Sequence, residues 1–172
     1  MFSSFSQEIA VQIEIMTTGG TIDKVYFDAK SSFEIGAPQI GEVLGDANLT
    51  IDYQITPLLR KDSLDLSDAD RELIKKTVRE SSAEKIVITH GTDTMIKTAE
   101  YLRGIAGKTI VLTGSMQPAR FRFTDAIYNI ASAITAVQLL PEGAWIAMNG
   151  KIFDPAKLQK NVDMNRFEII EA

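Results

Sequence analysis

Two short stretches carry the side chains best suited to chemistry. Met16-Thr17-Thr18-Gly19-Gly20-Thr21-Ile22-Asp23 sets hydroxyls on both sides of a glycine pair. Glycine tolerates positive φ and lets a ligand approach the backbone closely. Amide N–H groups there can therefore converge on an anion or a developing oxyanion, with Thr18 and Thr21 offering hydroxyls. Taken alone, a tight turn explains the segment equally well. Ile86-Val87-Ile88-Thr89-His90-Gly91-Thr92-Asp93-Thr94 repeats the arrangement: an apolar run, a turn at Gly91, then hydroxyls and a carboxylate. A third cluster, Asp62-Ser63-Leu64-Asp65, adds a hydroxyl and two carboxylates. For Asp65 and Ser67, capping of the following helix is the simpler account.

A threonine hydroxyl attacks an amide only when something takes its proton. There is no cysteine, and the single histidine, His90, sits at a strand end, where a structural hydrogen bond is the commoner role. Two other candidates remain. Lys160 would act as its free amine, a form favoured by burial or a neighbouring cation, and Tyr26 would act as its phenolate. Tyr26 lies just beyond Thr21, but an aromatic in a hairpin can equally be there only to pack.

These residues need a scaffold that gathers strand ends. Ile9 to Thr17 reads as a strand, and Thr21 to Gly36 as a loop or hairpin folding over the first turn. A short helix from Pro38 to Asp46 precedes a strand from Leu49 to Leu59. Ser67 and Asp70 have capping-box spacing ahead of a helix with Ala69, Leu73, Ile74, Thr77 and Val78 inward, opposite Arg71, Lys75, Lys76 and Arg79. Lys85 to Thr89 and Lys108 to Thr113 are short, fully apolar strands. Between them Met95, Ala99 and Leu102 mark a helix that stops before Gly104 and Gly107. After Gly114-Ser115-Met116-Gln117-Pro118 and a basic, aromatic loop, Thr124 caps a helix with Ile127, Ile130, Ala131, Ile134 and Val137 inward. Gly143 to Met148 is a further strand, and Asn149-Gly150 turns it into an antiparallel return from Lys151 to Asp154. Pro155 to Ala172 shows little periodicity. The alternation specifies an α/β fold: a mostly parallel, Rossmann-like or flavodoxin-like sheet with helices on both faces, right-handed crossovers and a site at the carboxyl edge.

Composition narrows the function classes. The 172 residues are of single-domain size, and 45% hydrophobic content suffices for a core. Residues 1–8 read as a frayed tail and 9–172 as one α/β domain. A net charge of −5 argues against a nucleic-acid partner. Without cysteine and with one histidine, no metal site is expected. The first residues lack a signal-peptide pattern and the apolar run from Ala126 to Leu140 is too short for a bilayer, so a cytoplasmic protein without a membrane partner is expected. A nucleotide site is the weakest alternative, since neither G-x-G-x-x-G nor G-x-x-x-x-G-K-[ST] occurs.

Thr18-Gly19-Gly20-Thr21-Ile22 and Thr89-His90-Gly91-Thr92-Asp93-Thr94, in that order, resemble the two signature motifs of the bacterial-type L-asparaginase/glutaminase family. The resemblance spans almost the whole chain, but only the family's amino-terminal domain. It implies an amidohydrolase that converts asparagine to aspartate and ammonia through a threonine acyl-enzyme, without a cofactor. Glutaminase or other amidase activity, or a non-catalytic binding or regulatory module, are the alternatives. By the same resemblance Thr21 is the nucleophile, and Gly20 beside it is read as a substrate-binding position through the backbone N–H groups there. Thr92 and Asp93 are the second threonine and the substrate-binding aspartate, and Lys160 completes a Thr-Lys-Asp cluster. Ser63 binds the substrate α-carboxylate, and Tyr26 is the loop tyrosine that bonds the nucleophile. Leu64 departs from the family, standing where many members carry a polar substrate contact. Family members usually add a second, smaller domain, and a neighbouring subunit's copy completes each site. Here a homodimer or homotetramer pairing apolar helix surfaces is expected, with weaker asparagine binding.

Overall fold

Apolar runs alternating with amphipathic segments build a six-stranded sheet flanked by helices; the computed structural model describes residues 12–28 and 32–170. The residue 1–8 tail lies outside them. The sheet strands are β1 (Ile13–Gly19), β4 (Tyr53–Lys61), β5 (Lys85–Thr89), β6 (Thr109–Thr113), β7 (Gly143–Met148) and β8 (Lys151–Phe153). Two hairpins stand apart, β2 (Lys24–Phe27) with β3 (Ser32–Ile35), and β9 (Leu158–Asn161) with β10 (Arg166–Ile169). The helices are α1 (Ile40–Asp46), α2 (Asp68–Glu80), α3 (Met95–Tyr101) and α4 (Ala126–Leu139).

In the sheet the order is β4-β1-β5-β6-β7-β8, parallel except for β8. The chain moves outward from β1 to β4 on one side and from β5 to β7 on the other, so the order reverses between β1 and β5. Open parallel sheets bind ligands at the crevice outside the carboxyl ends of such a pair. Alternate strand side chains separate two cores. Met16, Ile86, Ile88 and Leu112 pack with Ile74 and Val78 of α2 and Met95 and Ala99 of α3. Ile13, Ile15, Val87 and Val111 pack with Ile40 of α1 and Ile130 and Val137 of α4. No helix among the described residues is long and apolar enough to cross a membrane.

Four expectations need correction. β4 runs from Tyr53 to Lys61, later than the Leu49 to Leu59 reading, because its pairing with β1 begins at Ile13↔Tyr53. On α2 the capping box of Ser67 and Asp70 is present, but the buried stripe is Arg71, Ile74 and Val78, while Ala69 and Leu73 face solvent. On α4, Ile127 and Ala131 face outward and Ala126 and Ala133 face the sheet; a helix apolar all round does not reveal which side is buried. The segment after Pro155 forms the β9–β10 hairpin, whose Leu158 and Phe167 join the α2/α3 core.

Candidate active site

The loops after β1 and β5 touch. A Cβ added at Gly20, where φ is +92°, would lie 2.5 Å from Gly91 Cα, so both loops close on each other through backbone alone. Thr18 Oγ1 donates to the Thr89 carbonyl at 2.9 Å and ties the two strand ends below. Thr21 and Thr92 are the next residues along these two touching loops. Thr21 opens the 3-10 turn Thr21–Asp23 and is partly exposed, and no described side chain hydrogen-bonds its hydroxyl.

Lys160 of β9 reaches the second loop. Its Nζ donates to Thr92 Oγ1 at 2.8 Å and to Asp93 Oδ1 at 2.6 Å. Three residues from two segments far apart in the chain thus form one cluster, largely shielded at Lys160 and open at Asp93. Its placement depends on the turn after β7. Asn149, in the left-handed region, accepts from the Phe167 amide at 2.9 Å through its side chain, and Phe167 stands opposite Lys160 in the hairpin. Asn129 on α4 in turn accepts from the Asn149 amide and donates to the Gly114 carbonyl. Sequence reasoning missed both asparagines. The Asn149-Gly150 turn pointed to a hairpin but not to the remote amide it holds.

Ser63 lies in the 3-10 turn Ser63–Asp65 and is fully buried against the second loop: a Cβ at Gly91 would be 2.6 Å from its hydroxyl oxygen. That oxygen has no hydrogen-bond partner among the described residues. Tyr26 is not brought to Thr21 by any described bond. Its ring packs edge-on against Phe33 at 5.4 Å within the β2–β3 hairpin, and Phe33 meets Phe121 at 6.1 Å. Leu64 is largely exposed beside Ser63. Arg71, read as a solvent-facing cation, is buried at 2% exposure beneath Ser63's turn. The 71-74-78 spacing with Ile74 and Val78 is the signal that placed it on the inward stripe.

Two buried titratable groups flank the crevice. Burial raises the Asp23 carboxyl from 3.8 to about 6, against the opposing effects of the Gln39 amide it accepts from and the charge of Arg60. Burial lowers the His90 imidazole from 6.5 to about 4, with Arg71 adding to the effect and the bond to the Gly91 carbonyl opposing it. His90 is therefore a neutral, enclosed hydrogen-bonder. Folded Asp23 keeps, between pH 3.8 and about 6, a proton that the unfolded chain has released, so its contribution to stability falls as pH rises through that window. His90 acts oppositely: from pH 6.5 down to about 4 the unfolded chain takes up a proton that the folded state refuses, so stability rises with pH. Each slope is roughly 1.4 kcal/mol per pH unit, and together they nearly cancel. Relative to wild type, thermal melts between about pH 4.5 and 6 should therefore rise more with pH for Asp23→Asn and less for His90→Gln. Parallel curves for all three proteins would contradict these two burials.

The family model described as Asparaginase, N-terminal matches residues 12–171. A glutaminase-asparaginase of Acinetobacter glutaminasificans is 29% identical over 171 residues, which cover 89% of this chain and 50% of that protein. A glutamyl-tRNA(Gln) amidotransferase subunit of Methanococcus vannielii is 40% identical over 85 residues, covering 48% of this chain and 20% of that protein. The solved thermostable L-asparaginase from Thermococcus kodakarensis superposes with a TM-score of 0.79 at 26% identity, over 92% of this chain and 51% of that one. The chain thus spans about half the length of the asparaginases it matches. With the family model aligned over nearly every described residue and the solved asparaginase sharing its sheet, this chain belongs to the asparaginase family, matching its amino-terminal domain.

Proposed function

We propose that the protein is an L-asparaginase-like amidohydrolase that converts L-asparagine to L-aspartate and ammonia through a Thr21 acyl-enzyme, without a cofactor. The observation that carries this reading is Lys160 bonded at once to Thr92 and Asp93, beside the Gly20–Gly91 contact that brings Thr21 near. In the first half-reaction Thr21 Oγ1 attacks the side-chain amide carbon and its proton passes to the departing nitrogen, which leaves as ammonia. Backbone N–H groups around Gly20 and Thr92 receive the oxyanion. In the second, Lys160, as the free amine held by Asp93, takes a proton from the attacking water through Thr92 Oγ1 and returns it to Thr21 Oγ1 as the ester bond breaks and aspartate leaves. Ser63 and nearby amides hold the α-carboxylate, and Asp93 the α-ammonium. The exposed phenol of Tyr26 bonds Thr21 only after the hairpin shifts inward, a closure of the kind that active-site lids undergo.

Purified protein should release ammonia from asparagine, and side-by-side assays with glutamine set the preference. Release from neither amide, together with calorimetric binding of asparagine, would favour a binding module instead. A second reading draws on the 40% identity to a tRNA-dependent amidotransferase component. Ammonia would then pass to an acceptor, and hydrolysis would accelerate only when that acceptor is present.

Self-association belongs to the proposal. Ile127, Tyr128 and Leu139 leave apolar surface on the outer side of α4, which suits pairing of helices between copies in a dimer or tetramer. A monomer by light scattering at micromolar concentration would refute the assembly.

A further inference from the structure

We propose that Arg71 is a positioning residue that gives the site its preference for amides carrying a carboxylate, by bracing the Ser63 turn against the Gly91–Thr92 loop and placing behind it a buried positive charge whose described counter-ion is exposed. The inference rests on the reading of the crevice as an asparagine site and adds a determinant of what it accepts. Arg71 Nη2 donates to Thr94 Oγ1 at 3.2 Å, and that hydroxyl donates on to the Ser63 carbonyl at 2.8 Å. Nη1 donates to the Leu66 carbonyl at 2.9 Å, and Nε to Thr98 Oγ1 at 3.2 Å. One guanidinium therefore grips both ends of the turn that carries Ser63 and the start of α3, which follows directly on Thr92 and Asp93. The fork geometry of arginine suits this task, and a lysine would reach only part of it.

The charge matters separately. The one described carboxylate bonded to Arg71 is Asp68, at 3.4 Å, and that side chain is 80% exposed and also bonds Lys97 at 3.1 Å. All the fully buried partners are neutral oxygens. A buried cation without an equally buried counter-charge leaves a positive potential in its surroundings, where water screens it little. Among the described residues His90 Nε2, which also feels the Arg71 charge, and the fully buried Ser63 hydroxyl both lack a hydrogen-bond partner, and of the two the Ser63 hydroxyl belongs to the turn that Arg71 braces. A ligand carboxylate accepting from that hydroxyl would meet both a free donor and a favourable field.

Wild type, Arg71→Met, Arg71→Lys and Thr94→Val would be compared by ligand-observed NMR, which reads weak binding, with thermal melts alongside. The probes are L-asparagine, succinamate, which lacks the ammonium, and 3-aminopropanamide, which lacks the carboxylate. Arg71→Met should weaken asparagine and succinamate about tenfold and leave 3-aminopropanamide within about twofold. Thr94→Val, which keeps the charge but cuts the link to Ser63, should weaken the same two ligands by roughly threefold. Arg71→Lys should recover part of the loss. If Arg71→Met does not fold, the other two variants carry the same ligand ratio. Equal weakening of all three probes, or of none, would overturn the inference. Carboxylate-selective binding by a wild type that releases no ammonia would defeat hydrolysis and leave this inference standing. Hydrolysis by a wild type whose Arg71 variants keep the same selectivity would defeat this inference alone.

Discussion

Thr21→Ala is expected to lower ammonia release from asparagine by roughly 10⁴- to 10⁶-fold, the scale on which removal of a covalent nucleophile is felt. Stability should hardly change. Thr21 is only partly buried, no described side chain bonds its hydroxyl, and its turn is held by other groups. Among these are the Asp23 amide donating to the Gly20 carbonyl and the Ala119 amide donating to the Ile22 carbonyl. Surface or loop substitutions of this kind lie within about 0.5 kcal/mol. Ammonia assays and melting curves on the same preparation separate the two effects. Near wild-type turnover in Thr21→Ala would remove this residue from the mechanism.

Lys160→Met and Thr92→Val should each cost roughly 10³-fold in kcat/KM, and the double variant should be scarcely worse than either single one. The reason is geometric. Lys160 Nζ touches Thr92 Oγ1 and Asp93 together, so the lysine nitrogen and the hydroxyl work through the same contact, and losing one end leaves the other idle. Valine keeps the threonine shape, so the comparison isolates the hydroxyl. Asp93 is open enough to remain solvated without its lysine. Steady-state kinetics on the four proteins reads the coupling, and losses that multiply would contradict a shared relay.

Much of this site was legible in the chain because strands and glycines write strong local signals. β5 follows the apolar run Lys85 to Thr89, and the capping box ahead of α2 is present as spaced. Positive φ at Gly19 and Gly20 agrees with the reading of a tight loop. The near contact between Gly20 and Gly91 was not legible, since it depends on β1 and β5 being neighbours across a crossover from β4. Resemblance, rather than periodicity, brought Lys160 forward. Its hairpin alternates weakly, and Asn149 anchors it from another part of the chain. Arg71 was misread for a different reason. Its charge suggested solvent, while its place in the 71-74-78 stripe and its neutral partners Thr94, Thr98 and Leu66 put it inside. Tyr26 lies on the β2–β3 hairpin but is packed on Phe33, a contact that sequence order alone could not weigh against one with Thr21.

Rapid acid quench of wild type turning over asparagine, followed by peptide mass spectrometry, reads the covalent step itself. An aspartyl group should appear as an ester on the peptide containing Thr21, accumulate further in Lys160→Met if that lysine serves the hydrolytic half-reaction, and be absent from Thr21→Ala. Steady ammonia release with an unmodified Thr21 peptide, or with the aspartyl group on Thr92 instead, would contradict it.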